Sequence, residues 1–283
     1  MNNTHFRQNL HTHTQYCDGK STMEEMILFA IEHGYSSLGF SSHSWQPLDT
    51  GSMTPDSQKK YINDFFALKE KYGDQIDLHL GLELDSLSDE NLRKSGPFEY
   101  MIGSVHYLNA KGKEMAIDES REIFESLLSE GFDDDIYAML VAYYATVKKM
   151  IEASDRRGFE VVGHIDLISK YNEEETFFRF DDPEVLDLAM DAVKAGIDRG
   201  LIFEINTGAI SRGYRTLPYP HPALLKRMAD AGAKFCISTD CHNAKDIAQS
   251  YEEAIRLAQS AGIDTFYVLA EDGFVPVKAS TLL

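Results

Sequence analysis

The chain has 283 residues, long for one domain yet ordinary for an α/β barrel, and it sets 27 Lys and Arg against 46 Asp and Glu, a formal charge of −19. That acidity repels phosphodiester polymers and anionic membrane surfaces unless a metal or local Arg and Lys reverse the field. The three cysteines, Cys17, Cys236 and Cys241, fit no zinc-finger spacing, and no signal-peptide pattern or long apolar run accompanies them. Nucleic-acid, membrane and disulfide-framework readings fall away, and a reduced, cytoplasmic setting is expected.

In chain order, seven segments read as short apolar strands with polar ends: Phe6 to His13, Ser37 to His43, Ile76 to Asp85, Met101 to Tyr107, Val161 to Asp166, Leu201 to Asn206 and Lys234 to His242. Helical periodicity fills the intervals. Ser21 or Thr22 caps Met23 to Glu32, which ends at Gly34; further helices are expected over Asp56 to Lys71, Glu119 to Ser129 and Ile136 to Arg157. Asp182 and Pro183 open a helix that stops at Gly200, and Pro222 to Ala231 and Asp246 to Ala261 complete the set. Ile76 to Asp85 leaves little room for a helix after it. Asp133, Asp134 and Asp135 read as the acidic N-terminus of a helix. Tyr137, Tyr143 and Tyr144 beyond them are expected to pack against the barrel. The pattern predicts a TIM-like (β/α) barrel of about seven units with one irregular crossover, residues 1–283 forming a single domain. An open doubly wound sheet is the rival, but it gathers its chemistry at one crevice.

Here almost every strand ends on a reactive side chain. His11 and His13 lie in HTH, His43 in SSHS, Glu83 in GLELD, His106 in GSVHYL, His164 in GHIDL, Glu204 in FEINTG, and Asp240 with His242 in STDCH. Strand side chains repeat every two residues, so each i,i+2 pair aims both groups at one point. Asp18 follows in the turn after His13. Six histidines with Asp18, Glu83 and Asp240 make nine candidate ligands. At three to four protein ligands per catalytic metal, that supplies two or three divalent ions, with one carboxylate bridging a pair. Hydroxide generated between paired metals is a strong nucleophile, and two metals clamp the attacking and leaving oxygens of a displacement at phosphorus. Hydrolysis of a phosphate ester is the expected reaction. Arg212 and Lys170, in neighbouring loops, are the candidate phosphate-binding cations. His5, His33, His79 and His221 are not assigned to metal: His33 sits at a helix end, His79 alternates against Leu78 and Leu80, and His221 is read as a surface or substrate-path residue. The cysteines are read as small buried thiols rather than nucleophiles.

The motifs HTHTQYCDGK, SSHS, GLELD, SVHYL, GHIDL, EINTG and STDCH, in this order from His11 to about Asn243, resemble the polymerase and histidinol phosphatase (PHP) superfamily. GHIDLISKY, and EINTG followed by Arg212 and a Tyr-Pro, point within it to the histidinol-phosphatase branch. The resemblance implies a trinuclear centre of Mn, Fe or Zn at the C-terminal mouth of a distorted (β/α)7 barrel. It implies one ligand set of His11, His13, Glu83 and Asp240, a second of Glu83, His106 and His164, and a third of Asp18, His43 and His242. Asp240, Glu83 and His43 would carry catalysis, and His43, Asp18 and His242 are candidates to protonate the departing alkoxide only where their metal is lost or exchanges. The implied substrate is a small-molecule phosphate monoester, L-histidinol phosphate, hydrolysed in histidine biosynthesis. Two positions depart from the family pattern: Asn9 stands where an aspartate is frequent, and Asp18 where many members have His. The alternatives are another phosphomonoester, such as a nucleoside monophosphate or phosphotyrosine, then a nuclease, and, outside enzymes, a metal-storage or sensor barrel. Oligomeric state is left open.

Overall fold

The computed structural model describes residues 6–283. Seven parallel strands form one sheet in chain order: β1 (Arg7–Asn9), β2 (Tyr35–Phe40), β3 (Asp77–Asp85), β4 (Tyr100–Ser104), β5 (Val161–Val162), β6 (Ile202–Asn206) and β7 (Lys234–Ser238). Beyond the regular ladders, Thr12 bridges Cys241 and the His13 N–H donates to the Cys241 carbonyl at 3.0 Å, so the first and last strands meet and the sheet curls into a barrel. Six helices follow six of the strands: α1 (Met23–Glu32), α2 (Pro55–Tyr72), α3 (Ile136–Glu152), α4 (Pro183–Asp198), α5 (Pro222–Asp230) and α6 (Tyr251–Ser260). After β3 only a single tight turn, Leu92–Ser95, replaces the helix.

Local chemistry explains the helix starts. The Thr22 side chain accepts from the Glu25 N–H while the Glu25 carboxylate accepts from Thr22, a reciprocal cap. Thr54 and Asp182 cap α2 and α4, each followed by a proline whose missing N–H costs nothing in the first turn. Asp135 caps α3, as the acidic run predicts. Tyr143 and Tyr144 are buried, whereas Tyr137 faces outward and donates to Asp182.

Several boundaries differ from expectation. The regular strands stop two to four residues before the histidines, and isolated bridges, Thr12 to Cys241 and His43 to Glu83, continue the pairing beyond them. The helix expected over Glu119 to Ser129 is a short α-turn, Arg121–Ser126, that widens into a π-turn at Leu127–Gly131. The one expected over Ile136 to Arg157 is interrupted at Ala153. That expected from Asp246 begins only at Tyr251, since Ser250 sits at φ 56°, a left-handed value that breaks the helical run. Two antiparallel hairpins were not expected, Tyr107–Ala110 with Lys113–Ala116, and Thr265–Ala270 with Gly273–Lys278.

The second hairpin closes the base of the barrel. Gln8 donates to the Leu269 carbonyl and accepts from its N–H, at 2.9 and 2.7 Å, and Tyr267, Leu269 and Phe274 pack on an apolar cluster that includes Leu10, Tyr100, Ile102 and Val161. Tyr100 fills the interior because β2 and β3 present glycines to it: a Cβ on Gly39 or Gly81 would come within 2.4 or 2.5 Å of the Tyr100 side chain. The floor beneath the mouth is therefore dry and close-packed, while the larger apolar core lies between the strands and the outer helices. No helix of the described residues is long and apolar enough to cross a membrane.

Candidate metal centre

At the C-terminal mouth, Glu83 is the hub. An isolated bridge continues the β2–β3 pairing to set His43 beside it, with His43 Nδ1 2.9 Å from Oε2. The same oxygen lies 3.2 Å from His11 Nε2 and 3.5 Å from His13 Nε2. Asp240 Oδ1 completes this group, 3.1 Å from His13 Nε2 and 3.6 Å from His11 Nε2. The other Glu83 oxygen, Oε1, faces His164 Nε2 at 3.0 Å and His106 Nε2 at 3.5 Å. A third group sits nearer the rim: Asp18 Oδ2 is 3.0 Å from His242 Nε2, and Asp18 Oδ1 is 3.6 Å from His13 Nδ1 and 3.8 Å from His43 Nε2. All nine candidate ligands thus converge on one mouth.

The donor set fits divalent cations. Two ligands held at about 2.1 Å from one ion, at tetrahedral or octahedral angles, stand about 3.0–3.4 Å apart, close to most of the spacings here. His11 Nε2, His13 Nε2 and Glu83 Oε2 are buried and have no hydrogen-bond partner. Unpaired buried acceptors turned toward one another cost free energy unless a cation lies between them.

The imidazoles are oriented from behind. A carboxylate accepts only, so Glu204 Oε1, 2.7 Å from His11 Nδ1, fixes the proton there and frees Nε2 as a ligand. Asp85 Oδ2 does the same for His106, 3.2 Å from Nδ1, and also accepts from its backbone N–H. His242 Nδ1 accepts from Arg212 Nη1 at 2.8 Å and lies 3.0 Å from the Asp240 carbonyl. Glu204 is itself held by the His164 N–H at 3.1 Å, by Asn206 Nδ2 at 2.8 Å and by the Ser238 hydroxyl. The i,i+2 pair of Glu204 and Asn206 therefore stands behind the centre rather than in it.

Electrostatics keep the carboxylates ionised. Burial opposes ionisation of Glu83, but His11, His43 and His106 outweigh it and hold the carboxyl well below its ordinary range; Arg212 and His11 do the same for Asp240. Burial and the neighbouring His242 and His43 push His13 down to about 3. Burial would also lower His11, yet Glu204, Glu83 and Asp240 raise it well above the usual value. In the same contest His106 moves up to about 9, with Glu83 as the main opposing charge. Burial pushes the Cys241 thiol up to about 12 and raises that of Cys17, so neither is an activated nucleophile.

A cavity of about 760 Å³ opens above these groups, and Tyr107, Asp118, Lys170, Arg212 and Tyr214 contribute to its walls. Lys170 is buried and donates to the Asp118 carbonyl at 2.6 Å. Arg212 donates to Asp240 Oδ2 at 3.1 Å and to the Asp240 carbonyl at 2.9 Å, so it steadies the outer face of that carboxylate while Oδ1 turns to the histidines. Asp118, on the cavity wall, and Asp85, behind His106, are neighbours of the centre that the strand-end pattern does not single out. His33 Nδ1 bonds the Phe29 carbonyl at the end of α1, and His79 pairs with Glu99. His221 caps α5 and stacks on Phe180 with ring centroids 4.0 Å apart. His5 lies outside the described residues.

A family model described as the PHP domain matches residues 9–208. A Schizosaccharomyces pombe protein named probable histidinol-phosphatase is 27% identical over 278 residues, covering 92% of this chain and 88% of its own length. The histidinol-phosphatase of Bacillus subtilis is 25% identical over 268 residues, covering 86% and 96%. Among solved structures, histidinol phosphate phosphatase from Lactococcus lactis, in complex with Zn, L-histidinol and phosphate, shares the fold with a TM-score of 0.72 at 19% identity, over 95% of this chain and 98% of that one. Arg212, Asp240 and His242 lie beyond the family-model match, on the wall of the mouth that the last strand closes.

Proposed function

Because the chain belongs to the PHP domain family, we propose that this mouth hydrolyses L-histidinol phosphate to L-histidinol and inorganic phosphate, the activity named in the S. pombe and B. subtilis relatives. The observation that carries this reading is Glu83, whose two buried oxygens serve two separate groups of imidazoles under a cavity walled by Lys170 and Arg212. Two or three divalent ions, Mn, Fe or Zn, held by His11, His13, Glu83 and Asp240, by Glu83, His106 and His164, and by Asp18, His43 and His242, would supply Lewis-acid stabilisation of the phosphoryl oxygens and a lowered pKa for water.

The protein side chains do the rest. Glu83 and Asp240 bring the carboxylate charge that holds the centre together. His43, part-exposed between Glu83 and Asp18, links the inner groups to the rim. Lys170 and Arg212 bind the phosphoryl oxygens, Arg212 with the planar fork that suits them. The acidic wall, Asp118 among it, suits a leaving group that carries an amine and an imidazole. A small-molecule monoester fits this cavity, and the net charge of −19 opposes a polynucleotide. On this reading the protein works in histidine biosynthesis in the cytoplasm.

The test is phosphate release by the manganese-supplemented protein from histidinol phosphate, tyrosine phosphate, a nucleoside monophosphate and a short oligonucleotide. A kcat/KM for histidinol phosphate at least about a hundredfold above the others, roughly 2.7 kcal/mol of transition-state discrimination, is expected. Slow and equal turnover of all monoesters would overturn the substrate and leave a metallophosphatase of another specificity.

A further inference from the structure

The two cations assigned to phosphate come from different loops, Lys170 after β5 and Arg212 after β6. A third cation, Arg215, is 3% exposed and stands behind the cavity wall. Its Nη1 donates to the Ser169 hydroxyl at 2.5 Å and its Nε to Glu173 Oε2 at 3.1 Å, so it grips the loop that carries Lys170 on both sides of that residue. The second Glu173 oxygen accepts from the Thr216 N–H at 3.0 Å, and Asp166 Oδ2 accepts from the His221 N–H at 2.8 Å, adding two more ties between the same loops. The guanidinium is sandwiched between aromatic rings, 4.8 Å from the centroid of Phe180 and 5.2 Å from that of Tyr219.

Arg215 is also coupled to both cations through its own turn. The N–H groups of Tyr214 and Arg215 both donate to the Ala209 carbonyl, at 2.9 and 3.3 Å, and Gly213 takes φ 75°, which folds Arg212 to Arg215 into one compact unit. Tyr214, on the cavity side of that unit, places its ring 4.7 Å from Lys170 Nζ. A shift at Arg215 therefore moves Arg212 and the aromatic ring over Lys170 together.

We propose that Arg215 is a positioning residue, a buried clasp that sets the spacing of Lys170 and Arg212 and through them the grip on the phosphoryl group. It touches neither the proposed metal ligands nor the cavity. The clasp rests on the reading of Lys170 and Arg212 as phosphate-binding cations. Lysine cannot replace it, because a point charge supplies neither the two-armed geometry nor the planar stacking between Phe180 and Tyr219.

The experiment uses the manganese-loaded full chain and compares Arg215→Lys and Glu173→Gln with the parent. Metal content, melting temperature, kcat/KM and competitive inhibition by inorganic phosphate are measured for each. Glu173→Gln loosens the clasp from its part-exposed side and keeps the test readable if Arg215→Lys does not fold. Unchanged metal content, with phosphate inhibition weakened and kcat/KM lowered in parallel by roughly ten- to a hundredfold, is expected. A lower melting temperature with phosphate inhibition and kcat/KM intact well below it would overturn the proposal, since a merely structural tie behaves that way. Lys170→Met is the companion variant. If it leaves phosphate inhibition unchanged, the phosphate-cation reading fails and takes the clasp with it. If it weakens inhibition while the clasp variants do not, the clasp alone fails. Inorganic phosphate is common to all monoesters, so neither result depends on the histidinol assignment.

Discussion

The barrel places buried histidine next to carboxylate at both of its ends, with opposite results. At the base, His79 Nδ1 lies 2.9 Å from Glu99 Oε2 and its Nε2 lies 3.1 Å from Asp77 Oδ2, while Lys69 approaches Glu99 at 3.5 Å. The Glu99 and Asp77 side chains are 38% and 58% exposed, so water shares their charge. At the mouth, Glu83 is 1% exposed and faces five imidazoles, with one of its oxygens lacking any hydrogen-bond partner. At the base one histidine stands between two part-exposed carboxylates, and although its Nε2 also lacks a hydrogen bond, water reaches the oxygens beside it. At the mouth five converge on one buried carboxylate, where His11 Nε2, His13 Nε2 and Glu83 Oε2 are shut off from solvent and have no hydrogen-bond partner, and that arrangement calls for added cations. Residue type is shared between the two ends; what separates them is burial and the direction in which lone pairs point.

The sharpest way to break the comparison is to remove the hub. Glu83→Gln replaces a carboxylate shared by two groups of imidazoles with a neutral amide whose NH₂ group would point at imidazole nitrogens or at a cation. Loss of metal from the first two ligand sets and a fall in turnover on the order of a thousandfold or more are expected, several kcal/mol of transition-state stabilisation. Metal analysis of the purified variant beside its steady-state rate checks this; a variant with full metal content and normal rate would refute the hub.

A smaller effect is expected one layer behind. In Glu204→Gln an amide must sit among the donors of His11, His164, Asn206 and Ser238, where only an acceptor fits, and the fixed tautomer of His11 is lost. Removing such an orienting carboxylate typically weakens metal affinity by about 10- to 100-fold. Metal titration into chelator-stripped protein measures it, and the loss should fall on the set that contains His11 while binding at the Asp18 rim persists. Equal weakening everywhere would indicate a general structural defect instead.

The contrast between hub and orienting layer also marks how far the sequence can be read. His11 and His13, or Asp240 and His242, stand two apart at the end of an apolar run, and the two-residue period of a strand aims them together whatever the rest of the chain does. The barrel was legible for the same reason, since strand and helix periods alternate along it. Glu204 was visible as another strand-end acid, but its role depends on His11, 193 positions away, and no local pattern encodes which side of an imidazole a carboxylate will meet. Asp118 lies after a hairpin that periodicity does not predict. The late start of α6 turns on the left-handed backbone of Ser250, a state that serine does not advertise. The closing hairpin did carry a signal: Glu271-Asp272-Gly273 between apolar runs is a turn sequence, and Gly273 takes φ 106° there.

The least expected effect belongs to the base, and its smallness is the point. His79, aided by the Leu80 N–H, holds the Glu99 carboxyl below its ordinary range against the opposing effect of burial. A carboxylate whose folded pKa is depressed binds fewer protons folded than unfolded at mildly acid pH, so its stabilisation is complete above the unfolded value near 4.5 and drains away as pH falls through the folded one. Glu99→Gln should therefore cost at most about 1 kcal/mol near neutral pH, the exposed carboxylate being screened by water, and the difference from the parent should shrink in acid. Urea denaturation at pH 7 and at pH 3 measures both values. Metal content and kcat should not move, because the packed interior around Tyr100 separates this histidine from the mouth. A change in either would mean that the two ends are coupled through the barrel, and the division between a histidine beside solvated carboxylates and a cation-requiring cluster would fail with it.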